Sequence, residues 1–248
     1  MPSAQTPAND LPPPVLQPVR AVRALRALIA NPDDTRHVFT IIESLSGRAP
    51  LGVLARFQAS ESGRRLLATR ADILPVLKDR AALERMPRGS LGHAYLAFLD
   101  REKITADGLV EASERGETGA FRRGSEFEYV SDRLRDTHDL WHAASGYQGD
   151  VVGETALLSF SVAQTKNPGV ALIVLAALLK AHDPELLRLV TCAFRDGARA
   201  EWLPAVEWEA LLPLPLEVVR ERLRMEPAPA YEPVRTADLR MTGELAPA

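Results

Sequence analysis

The stretch Tyr129–Phe160, YVSDRLRDTHDLWHAASGYQGDVVGETALLSF, holds the most informative residues of the chain. His138 and His142 stand four apart, so on a helix their imidazoles lie one turn apart on one face. Two histidines so placed can grip one metal ion. Asp139 is rotated about 100° from His138, so it reaches the same ion from the side or orients an imidazole. Gly146 ends the helix as a C′ residue. Gly153 and Glu154 belong to the next helix, which a short turn lays back against the first, aiming Glu154 at the histidine face. Two histidines with one or two carboxylates form a mixed N/O site for a divalent metal, zinc first, with iron or manganese as alternatives. Ligation needs neutral imidazoles and an ionised Glu154, so binding should weaken below about pH 6.

Helical periodicity extends on both sides. Downstream, helices are expected at about 151–166, 169–182, 185–195 and 215–224, with Asp183-Pro184 as cap and first helical residue. Upstream, Val19–Ala30 (VRAVRALRALIA) repeats apolar residues every three or four positions, Asn31-Pro32 stops it, and Asp33 or Asp34 can cap Arg36–Leu45. Ser90 caps Leu91–Asp100, and one helix is expected over 126–145. Residues 101–125 are polar and contain four glycines, which suits a long connection or flap. Nothing requires a strand, so the expectation is an all-α, single-domain helical bundle over 19–225. Prolines crowd the ends, with six in residues 1–18 and four in 226–248 of 19 in all, so both ends read as disordered or flexible tails.

Composition narrows the function classes. The 248 residues carry 30 Lys+Arg and 33 Asp+Glu, and this slight acidity argues against a nucleic-acid partner. A lone cysteine, Cys192, excludes an internal disulfide framework. The longest apolar run, Val170–Leu179, is about half of a membrane span. The first residues lack a secretory apolar core and the Arg-rich pattern of a mitochondrial presequence, so the expected location is cytoplasmic, at the inner face of a membrane.

The motif His138-Asp139-Leu140-Trp141-His142, then eleven residues and Glu154, resembles the metal-binding signature of the coenzyme Q (ubiquinone) biosynthesis protein 4 family. Its flanks agree: Tyr129-Val130, Arg133-x-Arg135, Phe160-x-x-x-Gln164-Thr165-x-x-Pro168, and upstream Pro87-x-Gly89-Ser90-Leu91-Gly92-x-x-Tyr95-Leu96-x-Phe98-Leu99. The resemblance covers roughly residues 18–225. It implies a helical, dimerising protein at the periphery of a membrane, contacting a polyprenylated quinone precursor and other ubiquinone biosynthesis proteins. It implies removal of the ring carboxylate of a polyprenyl-hydroxybenzoate with oxidation at ring carbon 1. The family's metal falls on His138, Asp139, His142 and Glu154, with Asp139 and Glu154 as the catalytic candidates. Arg133 or Arg135 is a candidate for the substrate carboxylate, with Tyr147 and Gln164 as further substrate-site candidates. The Pro168–Leu179 helix and the Leu157–Phe160 face are candidate walls for the prenyl tail. Two alternatives remain open. One is a non-catalytic scaffold that binds a prenyl lipid. The other is an HD-type phosphohydrolase, which needs a further histidine (His37 or His93) and aspartate (Asp183 or Asp196) at the ion.

Overall fold

The computed structural model describes residues 15–106, 108 and 125–242. Among them no strand forms; the sole bridge pairs Ser90 with Pro215. The N-terminal half holds α1 (Pro18–Ala30), α2 (Arg36–Leu45), α3 (Ala49–Ala59), α4 (Glu61–Thr69), the five-residue α5 (Leu74–Lys78) and α6 (Arg80–Glu84), and α7 (Leu91–Glu102). Then come α8 (Glu126–Asp136), α9 (His138–Ser145), α10 (Val151–Thr165), α11 (Pro168–Ala181) and α12 (Pro184–Arg199). A 3-10 turn at Leu203–Ala205 leads to α13 (Trp208–Leu211), α14 (Leu216–Leu223) and α15 (Thr236–Met241). The all-helical, single-domain expectation holds.

Short polar side chains start these helices by accepting amide hydrogen bonds that the first turn leaves free. Ser60, Ser90, Ser125, Asp150, Asn167 and Asp183 all do so. The cap expected from Asp33 or Asp34 does not form: Thr35 precedes α2 without a side-chain bond, and Asp34 pairs with Arg36. Helix α10 has no fully exposed residue and packs against α12, α11 and α3, with nine of its 15 residues buried. The largest apolar cluster joins α7, α9, α10, α12 and α14, and two others lie under α3–α4–α8 and under α1–α2–α11. The first pins α9 between α7 and α10, and that packing brings the histidines to Glu154.

Two expectations are corrected. The helix expected over 126–145 is two helices, divided at Thr137 (φ −90°, ψ −3°). The Thr137 amide and hydroxyl both donate to the Arg133 carbonyl, at 3.0 and 2.8 Å. Such back-bonding bends helices, and a polar pattern read from sequence does not reveal it. Both histidines fall within α9, so the spacing argument survives.

The second correction concerns the tail expected over 226–248. Residues 226–242 pack back onto the body: the Ala228 amide donates to the Ser145 carbonyl (2.7 Å) and the Val151 amide to the Val234 carbonyl (2.9 Å). Proline content signals an extended chain, and an extended chain can still be paired through its remaining donors and acceptors. Residues 1–14, 107, 109–124 and 243–248, with most of the expected 101–125 connection, lie outside the described residues.

Candidate metal centre

Gly146, at φ +89°, ends α9 in the left-handed region that favours glycine, and Asp150 opens α10 five residues from Ser145's carbonyl end. The turn between them lays α10 back so that Glu154, in its first turn, meets the face bearing His138 and His142. Among the described residues these three form the one cluster fit for a metal, with ligand atoms all within 4.8 Å of one another.

The histidines are held at their far nitrogens. His142 is 2% exposed, and its Nδ1 lies 2.9 Å from the Tyr147 carbonyl oxygen. A carbonyl only accepts, so Nδ1 carries the proton. Its Nε2 then presents a lone pair to Glu154 Oε2, 2.9 Å away. Two acceptors at that distance repel unless a cation, a proton or a metal ion, lies between them. That arrangement is the mark of a histidine ligand whose tautomer is fixed from behind. Phe98 stacks on the same ring (centroids 4.7 Å apart, planes within 14°), locking its orientation.

His138 repeats the pattern with a carboxylate. Its Nδ1 is 3.4 Å from Asp139 Oδ1 and its Nε2 is 3.5 Å from Glu154 Oε1. Burial alone would lower the His138 pKa, but the Glu154 and Asp139 carboxylates outweigh it and raise it to about 10. Burial would raise the Glu154 carboxyl, but His138 and then His142 hold it well below its usual range. The electrostatics of the cluster thus favour a proton on His138, at the nitrogen that could otherwise hold a metal. Proton competition therefore begins far above pH 6, higher than the free imidazole value implies.

The donor set, two imidazole nitrogens and one carboxylate, fits zinc, iron or manganese. His138, His142 and Glu154 would hold the ion. Asp139 sits at the outer nitrogen of His138, 6% exposed, so of its two sequence-level roles the geometry matches the orienting one. A cavity of about 230 Å³ opens beside the cluster and includes His138, Glu154 and Trp141 in its lining. The remainder is mostly apolar, from Phe39 and Ile42 of α2, Val53 of α3, Leu134 of α8, Leu158 of α10 and Val170 of α11. Of the walls expected from sequence, Leu158 and Val170 face this groove, while Leu157 and Phe160 belong to the main core.

The substrate-site candidates separate. Arg135 lines the groove, though it pairs with Asp136 (2.8 Å) and Asp132 (2.9 Å). Arg133 is 3% exposed, and Glu209 of α13 holds it in a bidentate pair at 2.9 and 2.8 Å. Gln164 ties α10 to α12 and to the 3-10 turn beyond it: its side chain donates to the Gly197 carbonyl (2.5 Å) and accepts from the Leu203 amide (2.9 Å). Tyr147 serves the centre through its backbone carbonyl, while its ring is buried in the core and its hydroxyl has no partner there. These three are corrections. None of the three lines the groove: Arg133 and Gln164 are committed to protein partners, and the Tyr147 hydroxyl is buried in the core.

In the sequence Phe98 stands out only as part of a motif. Its spacing to the metal motif carries no signal of the stacking role, which sequence reasoning therefore misses. The residues required for a phosphohydrolase do not join the cluster. His37 lies 3.4 Å from Asp34, His93 approaches the Glu84 carbonyl, and Asp183 caps α12.

Comparison with known proteins identifies the relatives of this chain. A family model described as coenzyme Q (ubiquinone) biosynthesis protein Coq4 matches residues 15–229. The mitochondrial ubiquinone biosynthesis protein COQ4 homolog of Bos taurus is 32% identical over 230 residues, covering 89% of this chain and 83% of the bovine one. The mitochondrial coq4 of Pyrenophora tritici-repentis is 31% identical over 186 residues, 74% of this chain and 62% of that protein. The crystal structure of a candidate ubiquinone biosynthesis protein from Nostoc punctiforme shares the fold, with a TM-score of 0.61 at 21% identity, over 84% of this chain and 98% of the other. The chain belongs to the coenzyme Q (ubiquinone) biosynthesis protein Coq4 family.

Proposed function

We propose that this protein binds one divalent metal ion, zinc first, through His138 Nε2, His142 Nε2 and Glu154, and removes the ring carboxylate of a polyprenyl-hydroxybenzoate as carbon dioxide with oxidation at ring carbon 1, dioxygen serving as the two-electron acceptor and water supplying the ring oxygen. The observation that carries this reading is the pair of facing acceptors at His142 and Glu154, opening onto an apolar groove. Three protein donors leave coordination positions free, as reaction requires, whereas a purely structural ion is usually enclosed by four. The bound metal would supply Lewis acidity toward the charge that develops when carbon dioxide leaves the ring.

The rest is the work of the side chains. The groove takes the start of the prenyl tail, each buried methylene contributing about 0.8 kcal/mol. Arg135 is the cation nearest to hand for a substrate carboxylate. Asp139 keeps His138 oriented and can take up a proton near the ion. A substrate of this kind resides in lipid, so the protein works at the cytoplasmic surface of a membrane, beside other ubiquinone biosynthesis proteins and as a dimer. Among the described residues no single helix is long and apolar enough to cross a membrane. A scaffold role draws on one observation, the exposed Leu175, Leu179, Leu187 and Phe194 of α11 and α12.

The test is complementation. In cells lacking their own family member, Glu154→Gln at normal expression should fail to restore ubiquinone and should accumulate the carboxylated prenyl precursor. Full restoration would overturn the catalytic reading and leave the scaffold.

A further inference from the structure

Asp150 is 2% exposed, and its carboxylate accepts four hydrogen bonds from two directions. Two come from its own helix: Oδ1 receives the amides of Val152 (3.0 Å) and Gly153 (3.2 Å). Its backbone carbonyl takes the amide of Glu154 itself at 2.8 Å. The other two come from a segment about 80 residues later. The Tyr231 hydroxyl donates to Oδ2 (2.9 Å), and the Val234 amide donates to Oδ1 (3.0 Å).

The same segment grips each neighbouring residue. The Tyr231 hydroxyl accepts from the Gln148 amide at 2.9 Å, and the Val234 carbonyl accepts from the Val151 amide at 2.9 Å. Arg235 pairs with the buried Glu102, which also takes a hydrogen bond from the Gly149 amide. Gly153 fits beneath this arrangement because a Cβ there would overlap the Gln148 carbonyl oxygen and the Tyr231 hydroxyl. That is a physical reason for glycine before Glu154. Tyr231, Val234 and Arg235 all lie beyond residues 15–229, the stretch matched by the family model.

We propose that residues 228–238 form a C-terminal strap whose grip on Gln148–Val151 holds the first turn of α10, and through it Glu154, in register with His138 and His142. Tyr231, Arg235 and Asp150 are therefore positioning residues for the metal centre, and in that respect the proposal rests on the metal-binding reading of the triad. Positioning partners of this kind commonly change metal affinity by about 10–100-fold when removed.

The experiment uses the full chain, Tyr231→Phe and Asp150→Ser. Serine at an N-cap still accepts from the first turn, but it lacks the second oxygen that the strap holds. Zinc affinity is measured by chelator competition, amide exchange at Val152, Gly153 and Glu154 is followed in the metal-free state, and melting is recorded for each. The expected result is zinc binding weakened roughly fivefold in Tyr231→Phe and 10–100-fold in Asp150→Ser. The three amides should exchange several-fold faster while the melting temperatures stay within a few degrees. Arg235→Gln should weaken zinc similarly, and Arg235→Lys should recover most of the loss. Unchanged zinc affinity in Asp150→Ser, with or without faster exchange, overturns the proposal. A full chain that takes up no zinc, iron or manganese overturns the metal reading alone; the strap then stands if the three amides exchange faster in the variants and falls if they do not.

Discussion

Two charge clusters, each with a buried nitrogen base and a partly exposed carboxylate, lie on neighbouring helices, and they are built differently. At Arg133, the Nη1 and Nη2 donors meet Glu209 in a bidentate fork, and Nη2 also reaches the Val206 carbonyl at 3.0 Å. Donors there face acceptors, so the two charges are matched, although the buried Arg133 Nε–H has no partner. At His142 and Glu154 an acceptor faces an acceptor, with both imidazoles fixed from behind by the Tyr147 carbonyl and the Asp139 carboxylate. Burial and charge are common to both clusters. What distinguishes the second cluster is that two acceptors face each other: a matched salt bridge needs nothing further, whereas facing acceptors favour a cation between them.

The comparison breaks if the two clusters respond alike to substitution. The largest effect is expected from His142→Ala or Glu154→Gln. Either should abolish stoichiometric metal binding, by more than about 100-fold in affinity, with a helical spectrum unchanged, as elemental analysis and far-UV dichroism will read. Retention of metal in both would remove the triad as the site. Arg133→Ala should do the opposite. It leaves Glu209 uncompensated and should cost about 3 kcal/mol. In a chain of this size that lowers the melting temperature by roughly 6–12 °C, while metal stoichiometry stays the same. Loss of metal there would merge the clusters into one.

Smaller effects sharpen the contrast. Phe98→Leu removes the ring stacked on His142 and should weaken metal binding by about tenfold, in line with other residues that orient a ligand, as chelator competition will show. The pH dependence follows from the raised His138 and lowered Glu154 values. In metal-free protein the Glu154 contribution is present above its usual 4.5 and is lost as pH falls toward its depressed folded value. The His138 contribution is present below 6.5 and fades as pH rises toward about 10. Metal-free melting should therefore peak between about pH 4.5 and 6.5. Metal affinity should move the other way, improving by up to tenfold per pH unit as the competing His138 proton is lost toward alkaline pH. A metal-free melting profile flat from pH 6 to 9 would contradict the ion pair.

Much of the centre is legible in the sequence. The i, i+4 histidines, the Gly146 stop and Glu154 after a short turn are enough to assemble the triad, because each depends on helical geometry repeated over a few residues. Helical spacing puts Asp139 beside the ion with two roles open, and the geometry at His138 Nδ1 matches one of them. Arg133, Gln164 and Tyr147 mislead for a common reason. Each has the chemistry of a substrate contact, but each is buried: the partners of Arg133 and Gln164 come from 33 or more residues away, and Tyr147 meets His142 through its backbone carbonyl. No local pattern encodes Glu209, Gly197 or Leu203 as those partners.

The sequence by itself determined an all-helical chain, the helix on which the two histidines share a face, and the carboxylate that follows them. Those features are set by periodicity, caps and turn residues acting over a few positions. Only the tertiary structure decided which polar groups stay free for a ligand, that Phe98 backs His142, and that the proline-rich segment after residue 226 returns to hold Asp150. Such contacts join residues about 40 to 80 positions apart. They exist because packing brings those residues together, and packing is a property of the whole chain.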